Sequence, residues 1–239
     1  MALVGRSTFH RVLPFFLSMR AAIRAKVTAA RLEQAETEKQ PEIRRNASKY
    51  FEWTQRFLQA APPTLIAIGG LSGSGKSALA RALAPKLAPP PGAVVLRTDV
   101  ERKALFGKDE TEILSREAYE PAVTARIYDA VAEKARRVIA AGHSAIVDAV
   151  FAKPEERAAI EQAAASLNVP FHGLFLQTAL DTRIDRVGTR TADASDADAA
   201  VAQAQEGYNL GDLTWPRVDA SGTPEETLAR AQEAMKQKA

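Results

Sequence analysis

Eight consecutive residues, Gly70-Leu71-Ser72-Gly73-Ser74-Gly75-Lys76-Ser77, carry the densest chemistry in the chain. The glycines let the backbone curl so that successive N–H groups converge on one anion, and Lys76 adds a positive charge on a flexible stem. Their spacing fits the P-loop pattern at every fixed position. Phosphate is the anion such a nest suits: Lys76 would reach the β- and γ-phosphates of ATP, and the Ser77 hydroxyl would ligate magnesium. Behind them, a helix continuing through Ala78 would aim its positive N-terminal end at the same anion. A plain Gly/Ser turn is the competing reading. It leaves unexplained why an apolar strand, Leu65-Ile66-Ala67-Ile68, leads in and an Ala/Leu-rich helix leads out.

Three further constellations could complete such a site. Ser144-Ala145-Ile146-Val147-Asp148 is an apolar run closed by a carboxylate. At the carboxyl end of a parallel strand, Asp148 would open onto the phosphate crevice and hold magnesium through water. Ending a strand as a simple cap is its alternative role. Ala149 follows it, where many motor ATPases place a Glu to orient water, which counts against an engine built for hydrolysis. In Arg97-Thr98-Asp99-Val100-Glu101-Arg102-Lys103, Asp99 could take a proton from an attacking hydroxyl, and Arg102 could hold a polar or anionic acceptor beside it. The same residues would also serve as a charge cluster capping a short helix. Finally, Arg183, Arg186 and Arg190 recur at three- and four-residue steps on one helical face. Such a face suits a lid that neutralises charge on a transferred phosphoryl group, with a solvated helix as the alternative. Asp193, Ser195, Asp196 and Asp198 read more simply as a capped, acidic helix start than as a metal site. The histidines, His10, His143 and His172, have neither ligand nor triad spacing. Tyr119, Tyr128, Phe151 and Trp215 fit packing at least as well as an acceptor pocket.

To bring these segments together the chain needs parallel strands whose ends meet. Short β-rich runs at 64–69, 93–98, 144–150, 171–177 and 217–220 alternate with helical stretches at 76–87, 117–141, 154–167, 179–188, 197–206 and 223–237. Several runs are apolar throughout, as in strands covered on both faces. The expected fold is an α/β P-loop NTPase: a doubly wound parallel sheet of about five strands with helices on both faces, over residues 61–239. Residues 1–60 are expected to form a helical extension. Phe16, Leu17, Ala21, Ile23, Val27 and Ala30 follow helical spacing from Pro14, and Ile43, Ala47, Tyr50, Phe51, Thr54, Phe57 and Leu58 follow it between Pro41 and Pro62. Two apolar stripes imply a protein partner or an upstream domain docking on 1–60.

Residues 1–60 hold 11 Lys and Arg against 5 Asp and Glu, leaving 21 against 24 in the remainder. The basic excess therefore lies away from the phosphate loop, and a nucleic-acid partner is not expected. Arg6, Arg11, Arg20, Arg24, Lys26 and Arg31 have no acidic neighbour before Glu33, which organelle transit peptides share; a basic outer helix face is the preferred reading. No apolar run is long enough for a bilayer, so no membrane partner is expected and the cytoplasm is the expected compartment. The absence of cysteine excludes disulfides, thiolate metal sites and a cysteine nucleophile.

In order, GGLSGSGKSALARALAP, LRTDVERKALFG, GHSAIVDAVFAKPEERAAI and RTADASDADAAV resemble the predicted-kinase, ATP-binding half of bifunctional aminoglycoside phosphotransferase/ATP-binding proteins, a group labelled as AAA-family ATPases. The likeness covers about residues 60–239. More distantly it extends to polynucleotide kinases, gluconate kinases and zeta toxins. It implies that Asp99 and Arg102 engage an acceptor and that Arg183, Arg186 or Arg190 engage ATP. It also implies that residues 11–58 correspond to the closing helices of a phosphotransferase-like domain, without its catalytic loop. A small-molecule kinase is thus expected, with a kinase of nucleic-acid 5′ ends or nucleotide sugars, or an ATP-binding switch module, as alternatives. Guanine-specificity motifs are absent, so ATP is the expected nucleotide.

Overall fold

The computed structural model describes residues 2–59, 61–189 and 193–237, with side chains from residue 12 onward. A helical hairpin opens it, α1 (Ala2–Ala30) and α2 (Gln40–Leu58). Then follow β1 (Leu65–Gly70), α3 (Lys76–Leu83), β2 (Val94–Arg97), α4 (Thr98–Leu105), α5 (Pro121–Ala140), β3 (Ala145–Asp148), α6 (Pro154–Ser166), β4 (Phe171–Gln177), α7 (Leu180–Gly188), α8 (Ala199–Ala204), β5 (Arg217–Asp219) and α9 (Pro224–Lys236).

All strand pairs are parallel, in the order β2-β3-β1-β4-β5. The expected doubly wound sheet is therefore present. β1 lies at its centre, and all six of its residues are buried because both faces are covered. Alternation decides which way each side chain goes. Leu65 and Ala67 join Ile127, Val131, Ala135, Ile160 and Trp215 on the α5/α6 side. Ile66 and Ile68 join Leu79, Leu83, Val218 and Ala231 on the α3/α9 side. Each such fully buried Leu or Ile contributes roughly 1.5–3 kcal/mol of transfer free energy, so the sheet is a rigid base for the loops at its carboxyl edge.

Two elements differ from the sequence pattern. The charged stretch after β2 is the helix α4, with Asp99 and Glu101 in its first turn and Arg102 and Lys103 in its last, which complements the helix dipole. And α1 begins well before Pro14, which it accommodates at the loss of one backbone hydrogen bond. The hairpin is closed by Ala21 and Ala25, buried between the helices, and by a 2.9 Å bond from Ser18 Oγ to the Thr54 carbonyl. Among the described residues, no helix is long and apolar enough to cross a membrane.

Candidate active site

The carboxyl ends of β1, β2 and β3 open onto a cavity of about 1250 Å3. Its floor is the loop between β1 and α3. Gly73 (φ 83°) and Gly75 (φ 94°) are in the left-handed region, where a side chain would be strained. At Gly73 there is no room either: a Cβ would lie 2.5 Å from the Arg183 carbonyl oxygen. The Ser74 N–H donates to the Leu71 carbonyl (3.1 Å), as does Lys76 Nζ (3.1 Å), so the lysine folds back over the loop it belongs to. Gly70 is tied to the β3 side by its N–H to the Val150 carbonyl (3.1 Å). Ser72, Gly73, Gly75, Lys76, Ser77 and Ala78 all line the cavity.

Register then brings the carboxylates in. Arg97 pairs with Asp148 across the β2/β3 ladder and Ile68 with Asp148 across β1/β3, so β2 and β3 finish level while β1 runs on two residues to Gly70. Ser77 Oγ donates to Asp148 Oδ2 at 2.5 Å, and Asp148 is buried. The two expected magnesium ligands are thus adjacent. Oxygen donors of this kind fit a hard divalent cation, and among the described residues no cluster of three acids or histidines forms a cage elsewhere. One carboxylate and one hydroxyl leave the remaining positions to phosphate oxygens and water, the usual arrangement for magnesium.

Asp99 faces the same cavity from the first turn of α4. Burial pushes its carboxyl above the ordinary aspartate range and the Asp148 carboxylate pushes the same way, while Lys76, Arg97 and a hydrogen bond with Ser195 pull against them. One turn on, Arg102 is 6% exposed. Its Nη1 donates to the Ala118 carbonyl and, at 3.3 Å, to Thr124 Oγ1; its guanidinium lies 4.9 Å from the Tyr119 ring centre, and its Nε is buried without a hydrogen-bond partner. The structure thus gathers Lys76, Ser77, Asp99, Arg102 and Asp148 around one space.

The lid arginines separate. Arg186 lines the cavity beside Gly75, its guanidinium held by the carbonyls of Ala220 (2.9 Å) and Gly222 (3.1 Å). Arg183, expected to bind nucleotide, is buried beneath the loop. It donates to the Ser72 carbonyl (3.2 Å) and pairs with Glu206, because the first turns of α7 pack directly on Gly73. It braces the phosphate loop instead of lining the cavity. Arg190 lies outside the described residues.

The acidic segment before α8 also departs from expectation. Asp198 does cap α8, accepting from the Val201 N–H at 2.9 Å. Asp193 and Asp196, however, cross the cavity mouth. Asp193 Oδ1 takes Arg97 Nη2 at 2.8 Å, while Arg97 Nε also lies 3.4 Å from Asp148 Oδ2. Asp196 pairs with Lys103, whose side chain is 1% exposed, and accepts from Tyr119 Oη (2.5 Å) and the Leu114 N–H (3.0 Å). Burial would raise the Asp196 carboxyl, but the bonds from Lys103, Tyr119 and Leu114 together hold it below the ordinary range.

Other contributors carried no sequence signal. Gln205 Oε1 accepts the Ser72 N–H (2.7 Å), fixing the loop from 133 residues away. Phe151 (φ 51°) turns the chain out of β3; its N–H donates to Tyr128 Oη (2.9 Å) and its carbonyl accepts from Arg157 (2.8 Å). The same guanidinium reaches the carbonyls of Ala152, Leu210 and Asp212, so one buried cation pins two cavity loops. Tyr119 and Tyr128 do line the cavity, whereas Phe151 and Trp215 are buried against each other, 5.1 Å between ring centres.

Comparison with known proteins agrees with this architecture. Residues 65–208 match the AAA domain family AAA_33. An uncharacterized protein of Mycobacterium tuberculosis is 30% identical over 221 residues, 91% of this chain and 43% of that protein. The chain thus spans less than half the length of the curated relatives it matches. Among solved structures, the M. tuberculosis APS kinase CysC in complex with AMPPNP and APS superposes with a TM-score of 0.55 at 22% identity, covering 73% of this chain and 98% of that one. A gluconokinase from Sinorhizobium meliloti gives 0.51 at 20% identity, covering 76% and 95%. These likenesses establish the fold of the sheet, its phosphate loop and the surrounding helices, and by the match over residues 65–208 the chain belongs to the AAA_33 family of AAA domains.

Proposed function

We propose that the chain is an ATP-dependent kinase that transfers the γ-phosphate of ATP to a hydroxyl of a small molecule. The observation that carries this is one cavity with a phosphate loop on its floor and, facing it, a carboxyl, Asp99, set beside the buried Arg102. A carboxyl so placed gives a kinase a base for an acceptor hydroxyl, a role that a nucleotide switch does not require. The kinase neighbours named above agree with it.

In this reading Asp99 accepts the proton of the acceptor hydroxyl as its oxygen forms a bond to the γ-phosphorus and the bond from that phosphorus to the β–γ bridging oxygen breaks, leaving ADP. Arg102 orients the acceptor, and Lys76 and Arg186 stabilise the charge that develops on the phosphoryl oxygens. Ser77 and Asp148 would hold magnesium, which supplies charge neutralisation on the phosphates. Arg97 and Asp193 fix Asp148 from behind, and Arg183 and Gln205 fix the loop. Residues 61–239 form the kinase unit and residues 1–60 an extension outside the chemistry. Relatives more than twice the matched length suit a kinase half within a larger protein.

An ATP-consumption screen of the purified chain against pooled metabolites and 5′-hydroxyl oligonucleotides, with Lys76→Ala as blank, tests the proposal. ADP release stimulated by a small hydroxylated metabolite supports it. Stimulation by oligonucleotides alone would move the acceptor to nucleic-acid ends, and a flat response across every pool would remove the kinase reading.

A further inference from the structure

Among the described residues, most of the exposed large apolar side chains lie on the hairpin, far in sequence from every residue of the cavity. On α1, Val12, Phe15, Phe16, Met19, Ile23 and Val27 are all exposed, Phe16 at 56% and Ile23 at 59%. At 100° per residue these six positions fall within one stripe of the helix. The opposite face, with Ser18, Ala21 and Ala25, is the one buried against α2, so α1 is apolar on two sides and only one is used. Solitary exposed apolar residues are ordinary; a continuous stripe over four turns marks an interaction surface.

The rim of the stripe says what covers it. Arg20 and Arg24 lie along one edge and Lys26 falls within the stripe near its other side, all three exposed, and among the described residues none is paired with a carboxylate. Residues 1–32 contain no Asp or Glu. A second copy docking stripe to stripe would bring these cations against their own counterparts, and like-charge juxtaposition opposes association. We infer that the outer face of α1 docks a protein helix that carries an apolar stripe rimmed by Asp and Glu. Such a helix can reside in the same polypeptide, since the relatives extend over more than twice the matched length. Helix-in-groove recognition uses this i, i+4, i+7 anchoring, and complementary rims set orientation and partner choice.

The test is a calorimetric titration of the full chain with a 20-residue helical peptide bearing a Leu stripe rimmed by Glu, beside the same peptide rimmed by Lys. Phosphatidylglycerol vesicles and sedimentation velocity of the chain alone complete the set. The Glu peptide should bind at least about tenfold more tightly than the Lys peptide, and its affinity should fall as salt rises. Phe16→Asp with Ile23→Asp should abolish the binding and leave ATP affinity unchanged. Arg20→Glu with Arg24→Glu, which leaves both faces of α1 apolar, should reverse the preference towards the Lys peptide. Equal affinity for the two peptides, no binding of either, partition to the vesicles only, or a dimer lost on Phe16→Asp would each overturn the inference. None of these outcomes bears on the kinase reading, which turns on the cavity.

Discussion

The two halves of the cavity are built by different means. On the phosphate side, eight contiguous residues set the geometry: glycines with positive φ, one lysine and one serine at the head of α3. On the side proposed to hold the acceptor, the wall is assembled from pairs distant in sequence, Arg97 with Asp193 and Lys103 with Asp196, and from Tyr119, which also bonds Asp196. The first half takes its shape from local backbone chemistry, with Gln205 and Arg183 bracing it from outside the loop. The second exists only once the sheet has brought β2, α4 and the segment before α8 together. The proposed function therefore predicts that phosphate binding and acceptor choice are separable by mutation.

The sharpest way to break that separation is Asp99→Asn. Removing the proposed base should lower acceptor-dependent ADP release by about 10²- to 10⁴-fold while the affinity for magnesium-ATP, measured by calorimetry, stays as it was. If both quantities fall together, the two halves are one unit. Next in size, Lys76→Ala removes a charged donor from the phosphates and should weaken ATP binding about 10- to 100-fold, the equivalent of about 1.4–2.7 kcal/mol. Circular dichroism should show an intact fold, because Lys76 Nζ lines the cavity and donates to a carbonyl of its own loop. Arg186→Ala should come third, with turnover reduced about tenfold and ATP affinity by less, as expected of charge stabilised mainly in the transition state. Equal losses would make it an anchor for bound ATP. Gln205→Leu leaves the Ser72 N–H without its partner inside the loop and should cost about 1–3 kcal/mol in urea unfolding.

The smallest effect is a pH dependence. The Asp99 carboxyl is raised by burial and by Asp148, so it favours the folded state when protonated. That contribution is complete below the ordinary aspartate value and is lost as pH rises through the raised one. Near neutral pH, Asp99→Asn should therefore melt at a higher temperature than the wild type, and the gap should close in acid. A lower melting temperature near neutrality would mean that the carboxylate is held by its cationic neighbours after all.

This division also explains what the sequence could convey. Gly70 to Ser77 and the all-apolar β1 were legible because each depends on its immediate neighbours. The parallel order followed from strand and helix alternation. Asp148 was legible as a strand-end carboxylate, but its 2.5 Å bond to Ser77 needed the β1/β3 register. Arg183 misled, because helical spacing places it on one face with Arg186 without saying that Gly73 would press that face into the core. Asp193 and Asp196 read as a helix start, since nothing local distinguishes a capping carboxylate from one that crosses a cavity to Arg97 or Lys103. Gln205 and Arg157 act on backbone groups far along the chain, and a lone Gln or Arg in a helical stretch announces no such role.

The central claim is that this cavity moves a phosphoryl group from ATP to an organic hydroxyl. Its most direct test follows γ-labelled ATP with magnesium and the acceptor pool from the screen, in wild type and in Asp99→Asn. The account predicts label in an organic phosphate with the wild type, and almost none with the mutant at the same ATP saturation. Label found only in inorganic phosphate, at equal rates in the two proteins, would contradict it.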